Sequence, residues 1–404
     1  ARAPAALDQV AVLMMPIPEI QTVCFVGAGT MGCYNSLVAA ICGYRVVLFD
    51  QNEDALQQVA QRHAEWAPLL VAGGYCSDEE AAAAQQRISV EPDLARAVEH
   101  ADLVSESIVE QVDIKREVHT RLDQVCPAHT VLTSNSSALL VSDLEDAVTR
   151  GDKFAALHSH LGSPLFDIVG GSRTTPAVIQ LLARYVESLR CVPLIQHKEH
   201  PGYVLNAMLG PLLGTALSLV INDGLTVEEV DRAWMTRQGA PMGPFGMMDL
   251  FGLNVIHDSW QQPKPDPHRQ RLQPQVLTLL QPYVDQGRLG MKTGEGFYRY
   301  PDPAYQAPDF LSAEPVLASA VSSLLISLLA SAIAIVSRGV TEKENVDMAW
   351  TVGTHLATGP FAILDQMGRD EFESQLADHE RAGRINVNEA RIVKEYLQTV
   401  YCDA

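Results

Sequence analysis

The stretch from Thr22 to Asp50 constrains this chain more than any other. Thr22 to Val26 (TVCFV) is a short apolar run, Met31 to Cys42 has helical character, and Arg45 to Phe49 (RVVLF) is a second apolar run. Gly27-Ala28-Gly29-Thr30-Met31-Gly32, a GxGxxG spacing, stands between the first run and the helix. Short apolar runs bounded by turn residues are strands, and a helix joining two of them gives a βαβ unit with parallel strands. The three glycines then have separate tasks: a tight turn, close approach of a pyrophosphate to the backbone, and close packing of helix on strand. Alone the spacing is a weak signal. Its specificity comes from Asp50 at the end of the second strand, where a carboxylate accepts hydrogen bonds from ribose hydroxyls and repels a 2′-phosphate. The expected ligand is therefore NAD rather than NADP, held by Gly27, Gly29, Thr30, Met31, Gly32 and Asp50 with the helix N-terminus facing the phosphates.

Beyond this unit, Asn52 to Ala72 reads as one long helix with Asn52 as its N-cap, and Asp113 to Val125 as another. Arg87 to Val90, Asp102 to Ile108, Thr130 to Thr133, Lys153 to Leu157 and Cys191 to Ile195 read as strands. Alternation of this kind predicts an α/β fold, a Rossmann-type doubly wound and mainly parallel sheet over residues 1–198, followed by an all-α region. His200, Pro201 and Gly202 punctuate the change.

The helical region contains an internal echo. Gly224-Leu225-Thr226 leads to Val230-Asp231, Ala233-Trp234, Gly243-Pro244-Phe245 and Asp249; Gly339-Val340-Thr341 leads to Val346-Asp347, Ala349-Trp350, Gly359-Pro360-Phe361 and Asp365. The expected domains are a helical one over 199–308 and a second copy over 309–404. Gln261 to Pro308, rich in Pro and Gln, reads as the connection. Val316 to Ser337 carries no charge and is nominally long enough to span a bilayer, but its Ser and Ala content and its place in the echo predict a buried packing helix.

Composition narrows the partners. At 404 residues two or three domains are expected, and a formal net charge of -20 disfavours nucleic acid and anionic membranes. The seven cysteines are scattered, with no CxxC pair, so zinc or disulfide staples are not expected and a reducing, cytoplasmic compartment is. The apolar patch Val10 to Met15 lacks a basic flank and is too short to span a bilayer, so no targeting signal is expected from it.

Further motifs, in order along the chain, resemble those of the L-3-hydroxyacyl-CoA dehydrogenase family. Glu106 to Lys115 (ESIVEQVDIK) is similar to its strand-to-helix segment, Ser134-Asn135-Ser136-Ser137 to its SNTSS turn, and Phe154 to His158 to its strand ending in the catalytic histidine. Pro201 to Asn206 is similar to the PGFxxNR entry to the helical domain, Pro241 to Phe245 with Asp249 to PMGPFxxxD, and Gly294 to Tyr298 to the closing GxGFY. The resemblance implies NAD-dependent oxidation of a 3-hydroxyacyl-CoA thioester, as in fatty-acid β-oxidation. It implies His158 as general base, Ser137 and Asn206 as hydrogen-bonding partners of the reacting oxygen and thioester carbonyl, and Glu110, Lys115 and Asn135 beside the cofactor. In single-unit relatives another subunit covers the apolar face of the helical unit, so the resemblance also implies a pseudo-dimer within one chain, monomeric or further dimerised; the second copy lacks the catalytic amide, Val321 or Ser322 standing where the first has Asn206. A dehydrogenase of a free hydroxy acid and an NAD-binding protein with little activity are the alternatives.

One departure bears on the chemistry. Twelve residues after its histidine the family has a Glu that accepts the imidazole's second N–H; here that position is Gly170. Three explanations stand. Another acid such as Asp167 replaces the Glu, although in an extended segment Asp167 and Gly170 point to opposite faces. Alternatively, Gly170-Gly171 opens room for a bulkier substrate while His160 or a backbone carbonyl orients His158. In the third, the chain binds its ligands and turns over slowly or not at all.

Overall fold

Thr22–Val26 (β1) is buried along its whole length, as befits a central strand of a parallel sheet covered on both faces. In the computed structural model, which describes residues 16–262, 266–312, 316–385 and 387–401, seven more strands flank it. They are Arg45–Phe49 (β2), Ile88–Val90 (β3), Leu103–Glu106 (β4), Val131–Ser134 (β5), Phe154–Ser159 (β6), Leu165–Gly170 (β7) and Val192–Gln196 (β8). The order is β3-β2-β1-β4-β5-β6-β7-β8, and every pair is parallel except β6 with β7. The doubly wound sheet expected from the sequence is present.

Side-chain alternation divides its core in two. Val23, Phe25, Val46, Leu48, Ala155 and Leu157 pack on one face with the helices Thr30–Ile41 and Pro176–Ser188, and Cys24, Val26, Val104, Leu132 and Ala156 pack on the other with Leu122 of Val112–Val125. The patch Val10 to Met15 lies outside the described residues.

The chain divides into two compact units after Tyr203. In the second, the helix Leu205–Asp223 packs on Ala318–Ser337. Both are long and apolar enough to cross a membrane; in Ala318–Ser337, 72% of the apolar window is buried inside the protein, which is the packing role expected of it. The two halves of the echo make the same hydrogen bonds. Asp231 accepts the N–H groups of Phe245 (2.8 Å) and Gly246 (3.0 Å), and Asp347 those of Phe361 (2.7 Å) and Ala362 (3.1 Å). Each carboxylate thus satisfies the open N-terminus of the next helix. The glycine of each Gly-Pro-Phe is required for contact, since a Cβ at Gly243 or Gly359 would lie 2.4 Å from the respective aspartate. Trp234 and Trp350 meet edge to face, their ring centroids 6.3 Å apart.

The halves differ at the following acid. Asp249 accepts from the backbones of Phe297 and Tyr298 and the hydroxyl of Tyr300, so the GxGFY segment is folded around it, whereas Asp365 is exposed.

Two expectations about helices need correction. Asn52 does cap, its side chain accepting from Asp54 N–H, but the helix it starts is Glu53–Gln57, and Val59–Ala72 follows as a separate one. The supposed connection Gln261 to Pro308 contains a 19-residue helix, Pro267–Asp285. Its prolines suggested a break. Asp266 nevertheless caps its first turn, and Leu272, Val276 and Leu280 form a buried stripe at four-residue spacing that outweighs the bonds lost at Pro274 and Pro282.

Replacing Asp231 by Ala strands two buried N–H groups and the hydroxyl of Tyr298, which also bonds to it. A loss of about 2–4 kcal/mol is expected. Urea unfolding should show a clearly smaller loss for Asp347→Ala, because that site is half-buried and lacks the tyrosine.

Candidate active site

The glycine turn has the geometry that its spacing requires. Gly27 adopts φ +107°, and a Cβ there would lie 2.6 Å from the carbonyl oxygen of Ser107; at Gly32 it would lie 1.8 Å from that of Gly27. At Gly29 a Cβ would meet nothing within 4 Å. The outer glycines are therefore demanded by packing, and the middle one leaves the backbone open where a pyrophosphate would approach. The helix Thr30–Ile41 has neither a side-chain cap at Gly29 nor an acid in its first turn, which suits an anion at its N-terminus. Asp50 lies just past β2, half-buried, and accepts from the N–H groups of Ala28 (2.8 Å) and Asn52 (2.9 Å), so its carboxylate is fixed beside the turn.

The segment after β4 is anchored from behind. Glu106 is fully buried and accepts from Lys115 Nζ (2.6 Å), Ser134 Oγ (2.7 Å), the Ile108 N–H (2.8 Å) and His119 Nε2 (3.2 Å). Burial pushes its carboxyl up, but His119 and the Lys115 charge outweigh that and bring it down to about 2. Lys115, expected beside the cofactor, is turned inward to Glu106 and Glu110. Glu110 braces the Ser136–Leu139 turn by accepting from Ser136 Oγ and from the N–H groups of Ala138 and Leu139. Asn135, in the same turn, accepts from the backbone (2.7 Å) and hydroxyl (3.2 Å) of Ser159 and donates to Ser107 Oγ (3.2 Å). These bonds tie the ends of β4, β5 and β6 together.

His158, near the end of β6, is 3% exposed and lies between two partners. Its Nε2 is 3.0 Å from Ser137 Oγ and its Nδ1 is 3.0 Å from Asp167 Oδ2. Asp167 is fully buried and also accepts from His160 Nε2 (2.8 Å) and, through its other oxygen, from Gln196 Nε2 (2.8 Å). Burial would push the Asp167 carboxyl up, yet the bonds from the two histidines hold it below the usual carboxylate range. It stays ionised. Burial lowers the His158 imidazole below its ordinary value, with Asp167 opposing. Tyr203 stacks on the His158 ring at 4.6 Å and 11°, its hydroxyl donating to the Ser136 carbonyl.

Of the three explanations for the missing glutamate, this geometry favours the first, Asp167 in its place, against the objection drawn from alternation. The comparison with Gly170 considered one strand alone. What decides is the register of the antiparallel pair, in which Asp167 stands directly opposite His158 and Gly170 opposite Ala155. Directly paired residues share a face. Nor do Gly170 and Gly171 open room for substrate: a Cβ at Gly170 would lie 2.8 Å from Thr174, and one at Gly171 would lie 2.3 Å from Glu145. Gln196 and Tyr203 were not singled out beforehand. The available signal for Asp167 was the Gly162-Ser163 turn, since a hairpin centred there pairs His158 with Asp167. Asn206 lies half-buried at the start of Leu205–Asp223, in the second unit.

Residues 22–199 match the family model for the 3-hydroxyacyl-CoA dehydrogenase NAD binding domain, and residues 202–300 and 320–400 match that for its C-terminal domain. The chain belongs to the 3-hydroxyacyl-CoA dehydrogenase family. It is 33% identical over 292 residues to the mitochondrial hydroxyacyl-coenzyme A dehydrogenase of Rattus norvegicus, a match spanning 70% of this chain and 91% of that protein. With the probable 3-hydroxybutyryl-CoA dehydrogenase of Bacillus subtilis it shares 29% over 292 residues, 70% of this chain and 98% of the relative. Among solved structures, 3-hydroxybutyryl-CoA dehydrogenase from Escherichia coli K12 shares its fold over 94% of this chain and 98% of the other at 21% identity, with a TM-score of 0.77. A diketoreductase is 37% identical, covering 70% of this chain and 99% of its own, with a TM-score of 0.64. This family member is an NAD-dependent oxidoreductase acting on CH–OH groups, and the glycine turn, helix N-terminus and Asp50 are the residues that fit the cofactor.

Loss of the Asp50 carboxylate removes a charged hydrogen-bond acceptor and the repulsion of a 2′-phosphate. Asp50→Ala is expected to weaken NAD binding about 10- to 100-fold and to narrow the preference for NAD over NADP, both measured by calorimetric titration.

Proposed function

We propose that this chain oxidises the C3 hydroxyl of a 3-hydroxyacyl-CoA thioester to the 3-oxo compound, with Asp167 acting where relatives have a glutamate. The carrying observation is the chain Ser137–His158–Asp167, with both links at 3.0 Å. Asp167, ionised and without a donor of its own, takes the proton-bearing Nδ1 of His158, and this bond assigns the tautomer. Nε2 is left with its lone pair toward Ser137, in position to accept the proton of the substrate's hydroxyl. NAD, when bound, supplies the acceptor for the hydride leaving C3. As the proton arrives, His158 becomes an imidazolium, which Asp167 stabilises across Nδ1 while Tyr203 fixes the ring plane. Ser137 orients the reacting oxygen, and Asn206, at the position of the family's amide, is assigned to the thioester carbonyl.

A second reading is favoured by the diketoreductase likeness at 37% identity and by the net charge of -20, which opposes the phosphates of CoA. In it the substrate is a free hydroxy or oxo compound. NAD reduction with a panel of 3-hydroxyacyl-CoA esters and the matching free acids separates the two, and absence of turnover on all of them overturns both.

In-chain packing of Leu205–Asp223 on Ala318–Ser337 supports a chain that needs no second copy to cover this face; sedimentation should then give a monomer of 44.0 kDa. The six described cysteines are free thiols, which supports placement in a reducing compartment such as the cytoplasm.

His158→Ala should abolish turnover. Asp167→Asn should lower kcat by about 10³- to 10⁴-fold with little change in KM, because the amide no longer selects the tautomer or answers the imidazolium charge. The acid limb of the kcat/KM profile should fall below the ordinary histidine value of about 6.5, as burial, aided by His160, favours the neutral ring of His158 against the opposing pull of Asp167 and Glu110.

A further inference from the structure

We propose that His158, His160 and Asp167 form a site for a borderline divalent cation of the Zn²⁺ class, and that filling it switches the dehydrogenase off. His158 is on β6 and His160 is the first residue past its end; Asp167 faces them from β7 in direct register with His158. One ligand atom from each of the three lies within 4.8 Å of the others. The two rings meet edge to face at 4.5 Å, and the same carboxylate oxygen is reached by both, at 3.0 Å from His158 Nδ1 and 2.8 Å from His160 Nε2.

Two imidazole nitrogens and one carboxylate oxygen suit Zn²⁺, Co²⁺ or Ni²⁺ rather than Mg²⁺ or Ca²⁺, which favour sets of oxygen donors. Three protein ligands leave a position for water. The carboxylate is held as a metal ligand's is, its second oxygen receiving Gln196 Nε2 at 2.8 Å. Hydrogen-bonded neighbouring strands carry His158 and Asp167, and His160 follows β6 directly, so little ordering is needed to bring the three together. His160 retains 10% exposure of its side chain, against 3% for His158 and none for Asp167, and so offers the cation its way in.

The consequence for catalysis follows from counting protons. In the metal-free site His158 carries its proton on Nδ1 and presents the Nε2 lone pair to substrate. A cation on Nδ1 needs the lone pair of that nitrogen, so the Nδ1 proton must leave and the neutral ring carry its one proton on Nε2, the atom that has to accept one. Binding changes no oxidation state. His160 shifts its proton from Nε2 to Nδ1 in the same way, and both rings remain neutral.

The switch rests on the dehydrogenase reading above, whereas the binding site does not. Full-length protein with NAD bound is titrated with Zn²⁺ against a chromophoric chelator, and separately with Co²⁺ while its visible spectrum is recorded. One Zn²⁺ per chain is expected, with a Co²⁺ spectrum of nitrogen and oxygen ligands and no thiolate-to-cobalt band. His160→Gln and Asp167→Asn should each weaken binding by at least about 10-fold, with a melting transition recorded for each to show that it folds. Equal affinity in wild type and His160→Gln, or a thiolate band, overturns the site. In turnover assays one equivalent of Zn²⁺ should stop NADH formation and a chelator restore it, with at least about 10-fold more Zn²⁺ needed in His160→Gln. Full turnover with the site occupied overturns the switch. Zinc held at this site by a chain that oxidises no hydroxyacyl thioester overturns the catalytic reading alone.

Discussion

A carboxylate taken fully out of water is tolerated only when its charge is answered locally, because the desolvation penalty of a bare ion far exceeds what packing returns. Asp167 meets that condition through three donors, His158, His160 and Gln196. They come from both sides of β7, from β6 and the residue after it and from β8, which fixes how β6, β7 and β8 lie side by side at the end of the sheet. The same bonds set the ring plane and tautomer of His158. Stability and candidate chemistry therefore depend on one side chain, and a change there acts on both.

A second buried carboxylate, Glu106, does the corresponding work one strand pair away. It gathers Lys115, His119, Ser134 and the Ile108 amide, closing the turn that follows β4 where the glycine loop packs against Ser107. The two acids differ in their partners. Glu106 has a permanent cation beside it and serves as an anchor. Asp167 has imidazoles, whose protons are exchangeable, and is suited to catalysis and to competition from a metal ion. In the helical unit, Asp231 and Asp347 repeat the anchoring role at helix N-termini.

Much of this was legible in residue order. The βαβ unit, NAD, the doubly wound sheet and the family follow from local signals such as glycine spacing, strand-length apolar runs and an acid at a strand end. The echo was legible too, since Asp231 with Gly243 and Asp347 with Gly359 recur at equal distance. Helix boundaries were less so, because a run of good helix formers does not reveal the break at Gln58, and the prolines in Pro267–Asp285 conceal a stripe whose burial only packing supplies.

By itself the sequence determined the class of fold and the cofactor and singled out His158 as the candidate base, because each depends on residues close in the chain or on motifs in fixed order. Only the tertiary structure decided what stands behind His158. Alternation along a single strand said that Asp167 and Gly170 point opposite ways, and it was silent on which of them faces the histidine. That question belongs to cross-strand register, in which Asp167 is paired with His158. A turn one residue longer or shorter would have put another side chain behind His158, since a one-residue slip moves every side chain of a strand to the other face.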